Sequence, residues 1–146
     1  MKTPHKIILG TLIVVASFII TYRAINLEPT KDIHPNEQVR AIAENSGCNL
    51  CHKENPKLPY YSKWPIIGDK IKRDAAKAVN KIDIYEIWIQ FQRGEQIDIA
   101  KLESIEKVIY DSSMPPFSFT ILRPGSAVNS KEGKILLEWI ARRKPL

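Results

Sequence analysis

The chain has 146 residues, with 22 Lys and Arg against 16 Asp and Glu, three histidines and two cysteines. From residue 24 onward, 123 residues carry 19 of the basic groups and all 16 acidic ones, a balance of +3 that gives a nucleic-acid binder no support. That length suffices for one hydrophobic core and excludes two.

Lys2, His5 and Lys6 precede a charge-free run from Ile7 to Tyr22, which Arg23 closes. A basic start followed by an apolar run reads as a signal segment. Ala16-Ser17-Phe18 and Tyr22-Arg23-Ala24 are poor cleavage sites. An uncleaved anchor over residues 1–25, a single transmembrane helix, is therefore favoured over a cleaved leader. The lysines then stay on the cytoplasmic side, and the rest of the chain faces the periplasm from the inner membrane. Residues 26–35, with Pro29 and Pro35, read as a linker.

Residues 36–146 read as one domain. A helix is expected from Asn36 to Asn45, with Val39, Ile42 and Ala43 on one side and Gly47 placed to end it. Directly after comes Cys48-Asn49-Leu50-Cys51-His52, which holds both cysteines of the chain. The spacing C-x-x-C-H reads as a c-type haem attachment site. Two thiols one short turn apart can add to the two vinyl groups of one haem, and the next histidine lies under the iron as proximal ligand. C-x-x-C also serves zinc sites, thioredoxin-like pairs and disulfides. Zinc would want two further Cys or His close by, and His5 and His34 do not supply that spacing. A thioredoxin-like pair would want a βαβ context, and a Cys48–Cys51 bridge would close a small strained loop.

Lys53 to Pro65 contains three prolines together with Tyr60, Tyr61 and Trp64, and reads as an irregular loop on one edge of the haem. Asp69–Asn80 has Ile71, Ala75, Ala78 and Val79 at helical spacing. The basic stretch Lys63–Lys81 reads first as a solvated helix face and second as a docking surface for an acidic redox partner or an anionic membrane. Ile84–Gln92, a crowded apolar run that includes Trp88, is read as helix from its surroundings. Asp98 can cap a helix carrying Leu102, Ile105, Val108 and Ile109. Asn129 with Glu132 makes a capping-box start for a last helix whose inner face is Ile135, Leu136, Trp139 and Ile140. The strand signature is weak throughout. The expected fold is all-α: a small c-type cytochrome-like haem domain of four to five short helices, preceded by the transmembrane helix.

A haem iron with one histidine has a sixth position to fill. Past the anchor the candidates are Met114 and His34. Met114 lies in Ser113-Met114-Pro115-Pro116, where paired prolines stiffen the chain and cannot continue a helix. His/Met ligation raises the reduction potential and suits electron transfer. The site expected from these residues is one covalent haem c held by Cys48 and Cys51. Its iron is bound by His52 and Met114, with Tyr60, Tyr61, Trp64 and Trp88 as candidate pocket or propionate partners. A plain core role is the simpler account of those aromatics.

C-x-x-C-H, the Leu58-Pro59-Tyr60-Tyr61 loop, Met-Pro-Pro and the closing helix ending Trp139-Ile140-Ala141 appear in that order. In this they resemble the haem-binding domains of the bacterial cytochrome c peroxidase group. They are most similar to the membrane-anchored N-terminal mono-haem domain of tri-haem cytochrome c peroxidases, the quinol peroxidases. The resemblance implies that electrons pass from the quinol pool to a di-haem peroxidase partner. The 146 residues contain one C-x-x-C-H and no di-haem module, so an electron carrier is expected in preference to a peroxidase. A peroxide-reactive haem enzyme and a haem-based sensor or assembly subunit are the alternatives.

Overall fold

A computed structural model of the chain describes the backbone of residues 3–25 and 32–144, and the side chains of 6–21 and 32–144. Among these residues there are seven α-helices, two short 3₁₀ turns and no strand. The first, α1 (Thr3–Ile25), is followed by a domain of six: α2 (Pro35–Asn45), α3 (Ile67–Lys81), α4 (Ile84–Gln92), α5 (Ile99–Tyr110), α6 (Phe117–Leu122) and α7 (Ser130–Ala141). Six helices replace the four to five expected, and α6 is the addition.

The side chains of α1 from Lys6 to Thr21 are exposed along the whole stretch. Among the described residues no helix is long and apolar enough to cross a membrane. The transmembrane helix expected over residues 1–25 thus gains no support. The expected linker lies outside the described residues over 26–31, and Pro35 proves to be the first residue of α2. Proline suits that position, because its missing N–H is one the first turn leaves unbonded anyway.

The core joins α2, α4, α5 and α7. Val39, Ile82, Ile87, Ile97, Leu102, Trp139 and Ile140 are buried together, with Phe91, Ile105, Ile109, Ile135 and Leu136 packed against them. The helix ends are fixed by side chains that satisfy otherwise orphaned N–H groups. Asp83 accepts from Glu86, Asp98 from Ala100, and Asn129 and Glu132 form the capping box of α7. The two ends of the domain are tied by Asn36. Its Oδ1 accepts from Trp139 Nε1 at 3.2 Å and from Arg143 Nη2 at 3.1 Å, and the Arg143 guanidinium lies 3.7 Å over the Trp139 ring.

α3 starts two residues earlier than its periodicity suggests. Gly68 passes so close to the Tyr60–Lys63 turn that an added Cβ would lie 2.3 Å from the Ser62 carbonyl oxygen. Ile66, entering this contact, has φ +68°, a conformation that is a true outlier for a β-branched residue. The basic stretch lies largely on the exposed face of α3, where Lys70 pairs with Asp74 and Lys72 with Asp69.

Candidate haem-binding site

The site begins where α2 stops. Ser46, fully buried, donates its N–H to Ile42 O at 2.8 Å, and Gly47 then turns the chain with φ +73°. The left-handed turn delivers Cys48 into a 3₁₀ turn, Cys48–Leu50. Both Cys51 N (3.2 Å) and His52 N (2.8 Å) donate to Cys48 O. Two free thiols and one imidazole thus emerge from a single hydrogen-bonded turn. Burial pushes the Cys48 thiol up to about 11. It also raises Cys51, where the negative charge of Asp74 adds to the effect. Among the described residues no three His, Cys, Asp or Glu side chains are grouped to hold a metal ion. The turn presents the two thiols as a pair.

His52 is oriented by a residue far along the chain. Its Nδ1 lies 2.9 Å from the carbonyl oxygen of Ile82, while Ile84 N donates to the His52 carbonyl at 2.9 Å. A carbonyl can only accept, so Nδ1 carries the proton and Nε2 keeps its lone pair. A backbone carbonyl behind the imidazole is the usual arrangement for a metal-ligating histidine. His34 is used otherwise: exposed at the start of α2, its Nδ1 accepts from Asn36 N at 3.3 Å as an N-cap.

The aromatic loop divides. Tyr61 is 5% exposed, whereas Tyr60 and Trp64 are 73% and 46% exposed. Their rings meet edge to face at 5.4–6.3 Å. Of the three, only Tyr61 is enclosed, and its hydroxyl is buried without a hydrogen-bond partner. Trp88, half-buried, packs on Phe91 within the helical core.

Met114 follows α5 on a tight turn in which Ser112 has φ +49° and Ser113 N donates to Val108 O at 3.1 Å. It is 43% exposed and stands just ahead of Pro116, the N-cap of α6. The other end of α6 reaches the thiol-bearing turn. A Cβ on Gly47 would lie 2.8 Å from Phe119 Cζ, and Arg123 Nη2 donates to Glu44 O at 3.4 Å. Arg123 also acts electrostatically on Cys48 and on Tyr61. Phe119, Arg123 and Ile82 are members of the site that no sequence motif marks. A proline before a short apolar run was the one available signal for α6.

Haem fits these residues. Two free thiols on one turn and an imidazole engaged at Nδ1 are the groups that a haem's vinyls and iron would take. A family model described as a haem-binding domain matches residues 11–142. The chain is 23% identical over 112 residues to cytochrome c peroxidase Ccp of Escherichia coli (strain K12), an alignment covering 77% of this chain and 24% of that protein. It thus spans about a quarter of that relative's length. No solved structure matches. With the family model running over nearly the whole sequence and its matched region containing the turn just described, this chain belongs to the haem-binding domain family.

Proposed function

We propose that the protein is a c-type cytochrome that carries single electrons, its one haem bonded through thioethers to Cys48 and Cys51. One observation carries the reading. The turn that holds both free thiols also holds an imidazole whose Nδ1 proton is engaged by Ile82 O, leaving Nε2 for iron. The haem supplies an iron that cycles between the ferric and ferrous states. The Ile82 carbonyl fixes the ring of His52. Met114 is the sixth ligand in this reading, and its soft thioether favours the ferrous state. Its partly exposed place ahead of α6 leaves room for that role. Among the described residues no second histidine joins the turn for peroxide cleavage, since His34 caps α2. A carrier is favoured over an enzyme on this ground.

The wider setting belongs to the same proposal. α1 would serve as an anchor in the inner membrane, with the haem domain in the periplasm. A quinol or another membrane donor would reduce the haem, and a peroxidase-type protein, di-haem by the resemblance, would take the electron. The likeness to cytochrome c peroxidase Ccp supports that choice of acceptor.

The test is spectroscopic. Acid–acetone treatment of the purified protein should leave one haem on the chain by mass, and the ferric form should be low-spin with a weak near-infrared sulfur-to-iron band. Met114→Ala should abolish that band, lower the potential and open the iron to carbon monoxide. A wild-type protein that is already high-spin and turns over peroxide would replace the carrier with the enzyme.

A further inference from the structure

α3 joins the domain by one narrow side. Its buried and half-buried residues Gly68, Ile71, Ala75 and Ala78 follow one another at steps of three and four. The opposite side carries a second row at the same steps, Lys70, Arg73, Lys77 and Lys81, all exposed. At about 100° per residue these four fall within a stripe roughly 80° wide, and the rise of the helix spreads them over roughly 16 Å. The acidic groups of α3 leave most of the row uncompensated. Asp69 pairs with Lys72, which lies off the stripe, and Asp74 pairs with Lys70. Arg73, Lys77 and Lys81 form no ion pair with any described residue.

Apolar side chains stand at the head of the stripe. Trp64, Pro65, Ile66 and Ile67 are all exposed and lead directly into the first turn of α3. Ile66 is 85% exposed, the highest value among the large apolar side chains described. Its φ of +68° is also costly for a β-branched residue, so neither burial nor backbone preference accounts for an isoleucine there. We infer that this face of α3 rests on the surface of an anionic lipid bilayer, with the four cations over the headgroup phosphates and Ile66 reaching between them towards the acyl chains. Charge complementarity gives the sign of the partner. The apolar head gives its class. A bilayer presents anions over an extended plane with an apolar phase beneath, and Trp and Ile beside lysines are the composition of a segment lying in that interface. A uniformly acidic protein face would match the cations and leave Ile66 in water. On the anchor reading α1 holds the chain at the membrane, and α3 sets how the domain lies on it.

The test is a lysine footprint of the full-length protein on vesicles of phosphatidylcholine alone and of phosphatidylcholine with phosphatidylglycerol. Acetylation of Lys70, Lys77 and Lys81 should slow on the anionic vesicles, while the exposed Lys107 of α5 and Lys134 of α7 keep their rates. Added salt should restore the rates. Arg73→Gln alters none of the labelled lysines and should cut the protection about fivefold, the weight of one cation at such a surface. Arg73→Lys should keep it. Ile66→Gly removes the apolar group and suits the positive φ, so this variant folds at least as well and should still lose protection. Neither haem nor anchor takes part in the comparison. A chain without covalent haem fails the functional reading alone, and one not retained by phosphatidylcholine vesicles fails the anchor alone. Equal footprints on the two vesicles would overturn the inference, as would slowing that is uniform over all five lysines or an Ile66→Gly indistinguishable from the wild type. Protection by soluble polyglutamate and none by the anionic vesicles would assign the row to an acidic protein, and would overturn it as well.

Discussion

Gly47→Ala should be among the most damaging single-methyl additions in the domain. Gly47 sits at φ +73°, where any L side chain is strained by about 1–2 kcal/mol. The new Cβ would also lie 2.8 Å from Phe119 Cζ and 3.1 Å from Phe119 Cε1, well inside contact distance. The ring is half-buried and can give way in part, so about 1 kcal/mol of overpacking is added, for a total of about 2–3 kcal/mol. In urea titration of the holoprotein this lowers the midpoint by about 1–2 M with the slope unchanged. The two contributions are separable. Phe119→Leu removes the clashing atoms and keeps the branch point, so Gly47→Ala in that background should cost about 1 kcal/mol less than in the wild type. A Gly47→Ala protein within about 0.5 kcal/mol of wild type would refute the strain argument. Equal losses in both backgrounds would refute the contact between α6 and the thiol-bearing turn.

Three further outcomes are expected. In the haem-free protein at pH 8, iodoacetamide should label Cys51 before Cys48, because burial holds the Cys48 thiol up at about 11; equal rates would show that Cys48 is not shielded. The same shift sets a pH dependence. A thiol raised in the folded state above its ordinary 9.0 stabilises the haem-free fold fully below that pH and loses this contribution as pH rises through about 11, which alkaline denaturation checks. The full chain should sediment with membranes and resist carbonate extraction, while a form beginning near Ala24 and recovered in the soluble fraction would point to a cleaved leader.

What was legible in the sequence is what depends on near neighbours. Ile84–Gln92, helical by its surroundings despite an ambiguous apolar pattern, is α4 residue for residue, with Asp83 as its N-cap. The Asn129–Glu132 box opens α7 as expected, with Glu132 buried and accepting from Asn129 N at 2.9 Å. Boundaries slipped where tertiary contact decides. α3 begins at Ile67 because Gly68 packs on Ser62, which no periodicity encodes. At the site, the thiols and imidazole announce themselves by spacing. Their supports do not: Ile82 lies 30 residues from His52, and Arg123 lies 79 residues from Glu44. Among the aromatics, composition suggested a shared pocket, and only the burial of Tyr61 separates it from Tyr60 and Trp64.

On the covalent-haem proposal, the bond between His52 and Ile82 has a bearing on how the protein matures. The motif brings its thiols together within one turn, so a short peptide around residues 48–52 already contains the attachment chemistry. The imidazole is different, since its proton is assigned by a carbonyl at the junction of α3 and α4, next to a side chain buried in the core. The axial ligand is therefore set only when that junction has docked. Attachment is a local event and ligation a global one. An excised haem peptide would keep the bonds to carbon yet lose the imidazole's fixed tautomer, and the electronic character of the iron would then report on whether the domain around it had folded.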